Sequence, residues 1–219
     1  LAFWEWVCAV NELIQGQVIN IDGKCLRGSD NERLGKRAIY MVSAWAADNE
    51  IVLGQRKVDE KSNEITAIPE LLKILSISGC IVTIDAMGTQ THIAKTIVEA
   101  QADYVLSVKE NQGHLFEDIS ILFAVDQASD FKYASYEYKK TTNKDHGRIE
   151  IRECYSTSNP AYLRLIRNLD NWVGLKSIAM VICTRILGDK ITKEVRYYIT
   201  SLPSHAERIF HAVRAHWSF

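Results

Sequence analysis

The chain reads as an α/β protein built on a mixed sheet, and three observations carry that reading. Gln17 to Asp22, Ala38 to Ala46 and Ile51 to Val58 are short runs rich in β-branched and aromatic residues, with Asp48-Asn49 as a turn signal between the last two, the pattern of an antiparallel meander. From Glu64 to Phe123, helical and strand periodicities alternate, as in parallel strands joined by crossover helices. Apolar runs then return at Ile178 to Ile186 and Val195 to Ser201, after a polar stretch at about 125–173.

Each element follows from its residues. Trp6, Val7, Val10, Leu13 and Ile14 fall at helical spacing ahead of Gly16. Ile65, Ile68, Leu71, Leu72 and Leu75 share one face of a helix over Glu64 to Leu75, where Pro69 is tolerable only in the first turn. Strand Cys80 to Asp85, helix Thr91 to Ala100, strand Tyr104 to Val108 and helix Leu115 to Phe123 complete the alternation. Between about Val125 and Val173, Tyr133, Tyr136, Tyr138 and Tyr155 sit among lysines and arginines, and His146 to Glu153 alternates, which predicts a polar β insertion. Ile209, Ala212, Val213 and Ala215 mark a closing amphipathic helix.

With 219 residues, 47% of them hydrophobic, the chain can bury an ordinary core, and one domain over 1–219 with an insertion at about 125–173 is the expectation. The formal charge of -1 excludes a surface coated in basic residues, so any nucleic-acid contact needs a local patch. Cys8, Cys25, Cys80, Cys154 and Cys183 are scattered and lack zinc-site spacing, which fits a reducing compartment. No apolar run reaches the roughly 20 residues that cross a bilayer, and no signal peptide opens the chain, so a cytoplasmic protein is expected.

Two apolar runs each end on a lone carboxylate: Val18-Ile19-Asn20-Ile21-Asp22 and Cys80-Ile81-Val82-Thr83-Ile84-Asp85. An unpartnered charge is costly to bury, and if both runs are neighbouring parallel strands, their acids meet at one sheet end as a hard oxygen site for magnesium. Taken singly, each has a plain structural explanation: Asp22-Gly23 is a turn pair, and Asp85 precedes a loop whose amides it could satisfy. Together they favour metal-assisted phosphodiester chemistry, for which a third acid is normally required.

Ile21-Asp22-Gly23-Lys24-Cys25-Leu26-Arg27-Gly28-Ser29, Lys61-Ser62-Asn63-Glu64-Ile65-Thr66-Ala67-Ile68-Pro69 and Thr83-Ile84-Asp85-Ala86-Met87-Gly88-Thr89-Gln90 resemble the H-repeat-associated branch of the insertion-sequence DDE transposases. The likeness continues through Lys109-Glu110-Asn111-Gln112, His146-Gly147-Arg148-Ile149-Glu150, Arg196-Tyr197-Tyr198-Ile199-Thr200-Ser201 and Val213-Arg214-Ala215-His216-Trp217. It implies a ribonuclease-H-like fold, DNA as partner, and Asp22 and Asp85 as the first two acids of an Asp-Asp-Glu triad, holding Mg2+ for which Mn2+ substitutes. In the family pattern the glutamate follows an aliphatic residue after the His-Trp pair, whereas this sequence stops at Phe219, and family members also begin earlier. The expectation is therefore a transposase core shortened at both ends and inactive without its third acid; the alternative is a non-catalytic remnant that binds only DNA or partner chains, and a structure-specific nuclease is a third reading.

Glu207 lies several turns upstream on the last helix and Glu194 precedes a strand, so neither is expected to stand in for the glutamate. The resemblance favours Lys109, Asn111 and Gln112 as phosphate contacts. Lys24 and Arg27, with Lys36 and Arg37, form a basic cluster that could follow a DNA backbone or be solvated. His146 and Arg148 share a strand face with Glu150 and could touch DNA or pair with that acid. Arg214 and His216 complete the DNA-binding candidates; homodimerisation is left open.

Overall fold

A computed structural model of the chain describes residues 15–25, 39–48, 50–58, 63–132, 135–145 and 147–217. The helix expected before Gly16 lies outside these. The chain divides into two compact units, residues 1–104 with 215–219, and residues 105–214.

In the first unit the strands run in the order β3-β2-β1-β4, with β1 Val18–Cys25, β2 Tyr40–Ala46, β3 Ile51–Lys57 and β4 Ile81–Ile84. The first three form the expected meander: β1 pairs antiparallel with β2, and β2 with β3 through an irregularity between Ala44 and Trp45. β4 then pairs parallel with β1, so the sheet is mixed. Helix α1 (Glu64–Ile74) leads into β4, and α2 (Thr91–Glu99) follows it. Val18, Ile19, Ile21, Val82, Leu71, Leu72, Ile93 and Ile97 are almost fully buried and form the core of this unit.

Helix α1 starts one residue after Asn63, whose side chain accepts from the Thr66 N–H while Thr66 Oγ1 receives the Asn63 N–H, a reciprocal cap that satisfies two otherwise orphaned donors. Pro69 is the sixth residue of the helix and not in its first turn as expected. Pro69 brings no N–H to the Ile65 carbonyl, and the helix carries that loss because Ala67, Ile68, Leu71 and Leu72 are buried around it. Leu75 caps the helix instead of extending it.

The second unit holds β6 Glu137–Asp145, β7 Arg148–Thr157, β8 Ser177–Leu187 and β9 Lys190–Thr200, in the order β9-β8-β7-β6. Strand β5 (Asp103–Val108) enters this unit at Val105 and pairs antiparallel with β9. Helices α3 (Gly113–Ala128), α4 (Pro160–Leu163) and α5 (Ala206–His216) complete the order. Helix α3 outruns its expected end at Phe123, and β9 begins five residues before its expected start at Val195. In both cases the unread residues are exposed or polar, so apolar periodicity underestimates them. The polar stretch is a β-hairpin, β6 to β7, whose second strand pairs along its whole length with β8. Asp126 is 1% exposed and accepts the Tyr136 hydroxyl at 2.5 Å and the Tyr162 hydroxyl at 2.8 Å, which satisfies a carboxylate buried at the end of α3.

Burial pushes the Cys80 thiol up to about 11 and Cys154 up to about 12, so both are inert packing groups. No helix among the described residues is long and apolar enough to cross a membrane.

Leu71 is fully buried beneath the sheet, so Leu71→Ala is expected to lower unfolding stability by about 2–5 kcal/mol, read as a fall in urea midpoint at unchanged slope.

Candidate active site

Val18, Ile19, Asn20 and Ile21 are all buried on β1, and all four residues of β4 are buried, because strands covered on both faces admit no alternation of polar and apolar. Burial relaxes at Asp22 and Asp85, where each strand leaves the covered region. The parallel register runs Val18 with Ile81 through Ile21 with Ile84, so the two aspartates are the next residues after the last pair. Asp22 is not in a turn: it pairs with Ser43 across to β2, and Gly23 with Val42, so the turn explanation of Asp22-Gly23 is set aside.

The Asp22 side chain is 30% exposed, with Lys24 Nζ 3.3 Å from Oδ2. Asp85 Oδ1 accepts the Met87 N–H at 3.2 Å and the Gly88 N–H at 3.3 Å, and Thr89 Oγ1 donates to its carbonyl at 3.1 Å. The loop after β4 thus fixes the Asp85 carboxylate by backbone donors, the local role the sequence also allows. A Cβ at Gly88 would fall 2.3 Å from Ile84 Cγ2, so only glycine lets this loop fold back on the strand.

A third carboxylate belongs to this neighbourhood. Glu64 opens α1, and a Cβ at Gly23 would lie 2.5 Å from Glu64 Oε1, so the glutamate head group rests on the bare backbone beside Asp22. Burial raises the Glu64 pKa, and the charges of Asp85 and then Asp22 raise it further. Motif reading passed over Glu64; its signals were an acid in the first turn of a helix and a glycine directly after the first aspartate. The donor set is all oxygen, which suits a hard divalent cation, although among the described residues no three acidic, histidine or cysteine side chains are arranged for shared coordination.

Of the DNA-contact candidates, Lys24 pairs with Asp22, and Arg27 and His146 lie outside the described residues, as do Lys36 and Arg37. His216 is 8% exposed and its Nδ1 lies 2.9 Å from Thr83 Oγ1. In the second unit, Lys109 is exposed ahead of the short turn holding Asn111 and Gln112, and Arg214 is exposed on α5. Arg148 pairs with Glu150, whose carboxylate Arg152 and Arg185 also engage; Arg148 Nε and Arg185 Nε lie 3.3 and 3.1 Å from Oε1. Glu207 binds Lys139 at 2.5 Å, and Glu194 binds Arg196 within β9, where the strand was expected to start after it.

The profile described as "Transposase DDE domain" matches residues 14–218, and so takes in both aspartates and the strands that lead to them. The chain belongs to the DDE transposase family. It is 41% identical over 219 residues to the "Putative transposase YncI" of Escherichia coli O157:H7, covering 98% of this chain and 55% of that protein. It is 39% identical over 219 residues to the "H repeat-associated putative transposase YhhI" of E. coli K12, covering 98% and 57%. The chain thus spans little more than half the length of these transposase relatives. A sugar N-methyltransferase from Streptoalloteichus shares 11% identity over 62% of this chain and 46% of its own at a TM-score of 0.25, which bears on neither fold nor function.

Because folded Glu64 keeps its proton to higher pH than the unfolded chain does, its charge costs stability above that range and costs nothing below the ordinary value of 4.5. Glu64→Gln is therefore expected to stabilise the chain at neutral pH, the gain fading as pH falls through the ordinary glutamate range. Urea midpoints of both proteins across that range measure it; a gain that is constant with pH would assign the effect to packing.

Proposed function

We propose that residues 1–219 form one catalytic core of a DDE transposase, acting on DNA phosphodiesters by hydrolysis and strand transfer with Asp22 and Asp85 as catalytic acids. The observation that supports this most is the parallel register of β1 and β4, which sets the two acids side by side where both strands emerge from the core. Family membership supplies the reaction class, and the charge of both aspartates felt at Glu64 supports their proximity.

Asp22 and Asp85 would hold a divalent cation, magnesium by preference with manganese in its place. When bound, such a cation supplies Lewis-acid stabilisation of the attacking and leaving oxygens of an in-line displacement. Asp85 is aimed for this task by the Met87 and Gly88 amides, and Lys24 holds the Asp22 carboxylate until another cation competes for it. Water and then a DNA 3′ hydroxyl would serve as nucleophiles, with no covalent bond to the protein. Lys24, Arg27, Lys109, Asn111, Gln112, His146, Arg148 and Arg214 are the proposed DNA contacts, whereas His216, expected among them, is buried against Thr83 and is left out of that set; a cytoplasmic location accords with DNA as partner. The resemblance places the third acid after Phe219, so residues 1–219 by themselves would be inactive and a longer chain is the one to assay.

The test is magnesium-dependent nicking of duplex DNA carrying the element's ends, by this chain and by a chain extended beyond Phe219. Asp22→Asn and Asp85→Asn are each expected to lower cleavage at least about a hundredfold without lowering the thermal midpoint. DNA binding without metal-dependent cleavage by the extended chain would support a binding remnant instead, and hydrolysis without strand transfer would support a nuclease.

A further inference from the structure

Asn20 and Thr83 are 0% and 1% exposed within the buried stretches of β1 and β4, and both side chains are polar. Buried polar groups require partners, and here the partners are each other and the last residues of α5. Asn20 Nδ2 donates to the Ala215 carbonyl at 2.8 Å, Thr83 Oγ1 donates to Asn20 Oδ1 at 2.6 Å, and Thr83 Oγ1 lies 2.9 Å from His216 Nδ1. Ala215 and His216 group with the first unit, so all four residues belong to one compact body.

The direction of every proton in this chain of contacts follows from one fixed point. A backbone carbonyl only accepts, so the Asn20 atom facing Ala215 must be the amide nitrogen, and the oxygen is the atom turned to Thr83. That oxygen also only accepts, so it takes the single hydroxyl hydrogen of Thr83. With its hydrogen committed, Thr83 Oγ1 can only accept from the imidazole, and His216 must carry a proton on Nδ1.

Position gives this network its significance. Asn20 and Thr83 are register partners across the parallel pair, and each stands two residues before an aspartate. Alternation along β1 puts Asn20 and Asp22 on one face of the sheet, separated by about 6–7 Å of strand. The contacts therefore tie the end of α5 to the face that presents Asp22, with a hydrogen-bonded reach to both strands at once.

We propose that Asn20, Thr83 and His216 are a positioning triad that holds the end of the last helix in fixed register over the two acid-bearing strands, with His216 locked as the Nδ1–H tautomer. The triad rests on the transposase reading for its purpose, and on the geometry alone for its protonation. Asn20 anchors the helix backbone, Thr83 passes the polarity of that anchor across β4, and the imidazole is oriented by what Thr83 has left to offer. No titration is needed for it to act, since both the neutral Nδ1–H form and the imidazolium carry the required hydrogen.

The decisive experiment reads the ring directly. Long-range proton–nitrogen correlation spectra of the chain labelled at histidine nitrogens, with His216 assigned by its loss in His216→Asn, are expected to show Nδ1 protonated and Nε2 bare at a pH where the ring is neutral. An Nε2–H ring overturns the triad. Thr83→Val should release the tautomer, and in a cleavage-competent chain should lower metal-dependent cleavage about 10–100-fold, whereas Thr83→Ser should restore both. His216→Asn places an amide NH2 where Nδ1 stood and should retain most of the cleavage that His216→Gln loses; equal losses in the two would overturn the positioning role. Should the ring show Nδ1–H while Asp22→Asn leaves cleavage unchanged, the catalytic assignment of the aspartates fails and the triad stands as the fold's anchor.

Discussion

Parallel pairing between β1 and β4 governs the rest of this structure. A parallel pair covered on both faces is predominantly apolar and admits polar side chains only where they find partners, and Val18, Ile19, Ile21, Ile81, Val82 and Ile84 supply the apolar cover. Charge is admissible only where the cover ends, and in a parallel pair both strands end their cover on the same side. Two chain segments more than sixty residues apart are thereby made to release their first carboxylates together. The antiparallel pairing of β1 with β2 has no such consequence, since neighbouring antiparallel strands emerge at opposite ends.

Among the described residues, that arrangement concentrates negative charge faster than neighbouring groups neutralise it. Lys24 offsets Asp22 from a largely exposed position, and two backbone amides serve Asp85, but Glu64 is pressed onto Gly23 with its pKa raised by burial and by both aspartates. A solvated ion pair is worth little, so the repulsion is only partly relieved. Gly23 is what permits the crowding: any side chain there would displace the Glu64 head group and disperse the three charges. The glycine after Asp22 is thus explained by a close approach and not by a turn.

Much of this was legible in the sequence, for identifiable reasons. The two runs that carry Asp22 and Asp85, their parallel relation, the meander and the crossover helix α1 each follow from periodicity or from a β-branched run bounded by turn residues, although β1 continues past its expected end at Asp22 to Cys25, carried by its pairing with β2. Pro69 was misjudged because first-turn tolerance considers only the hydrogen bond lost, whereas α1 is held by its buried face and a reciprocal cap at Asn63. The start of β9 escaped notice because Lys190 to Glu194 is polar and exposed, and strand pairing with β8 rather than burial puts it in the sheet. Glu64 was passed over because its role is visible only once α1 is docked, when an exposed first-turn acid becomes the neighbour of two others.

Asn20 and Thr83 show a different kind of illegibility. In the sequence they interrupt apolar runs and look like tolerated irregularities; in the fold each is the other's register partner, so the irregularities coincide. A single polar residue in either strand would be an orphan costing a few kcal/mol to bury. Paired with each other and with Ala215 and His216, the two become a satisfied link, and the cost turns into specificity: a one-residue slip of β4 against β1 would leave at least two buried polar groups without partners. The same slip would separate Asp22 from Asp85, so the polar pair enforces the register on which the carboxylate arrangement depends. Register control and charge placement are therefore one property of these strands, set by residues two positions apart.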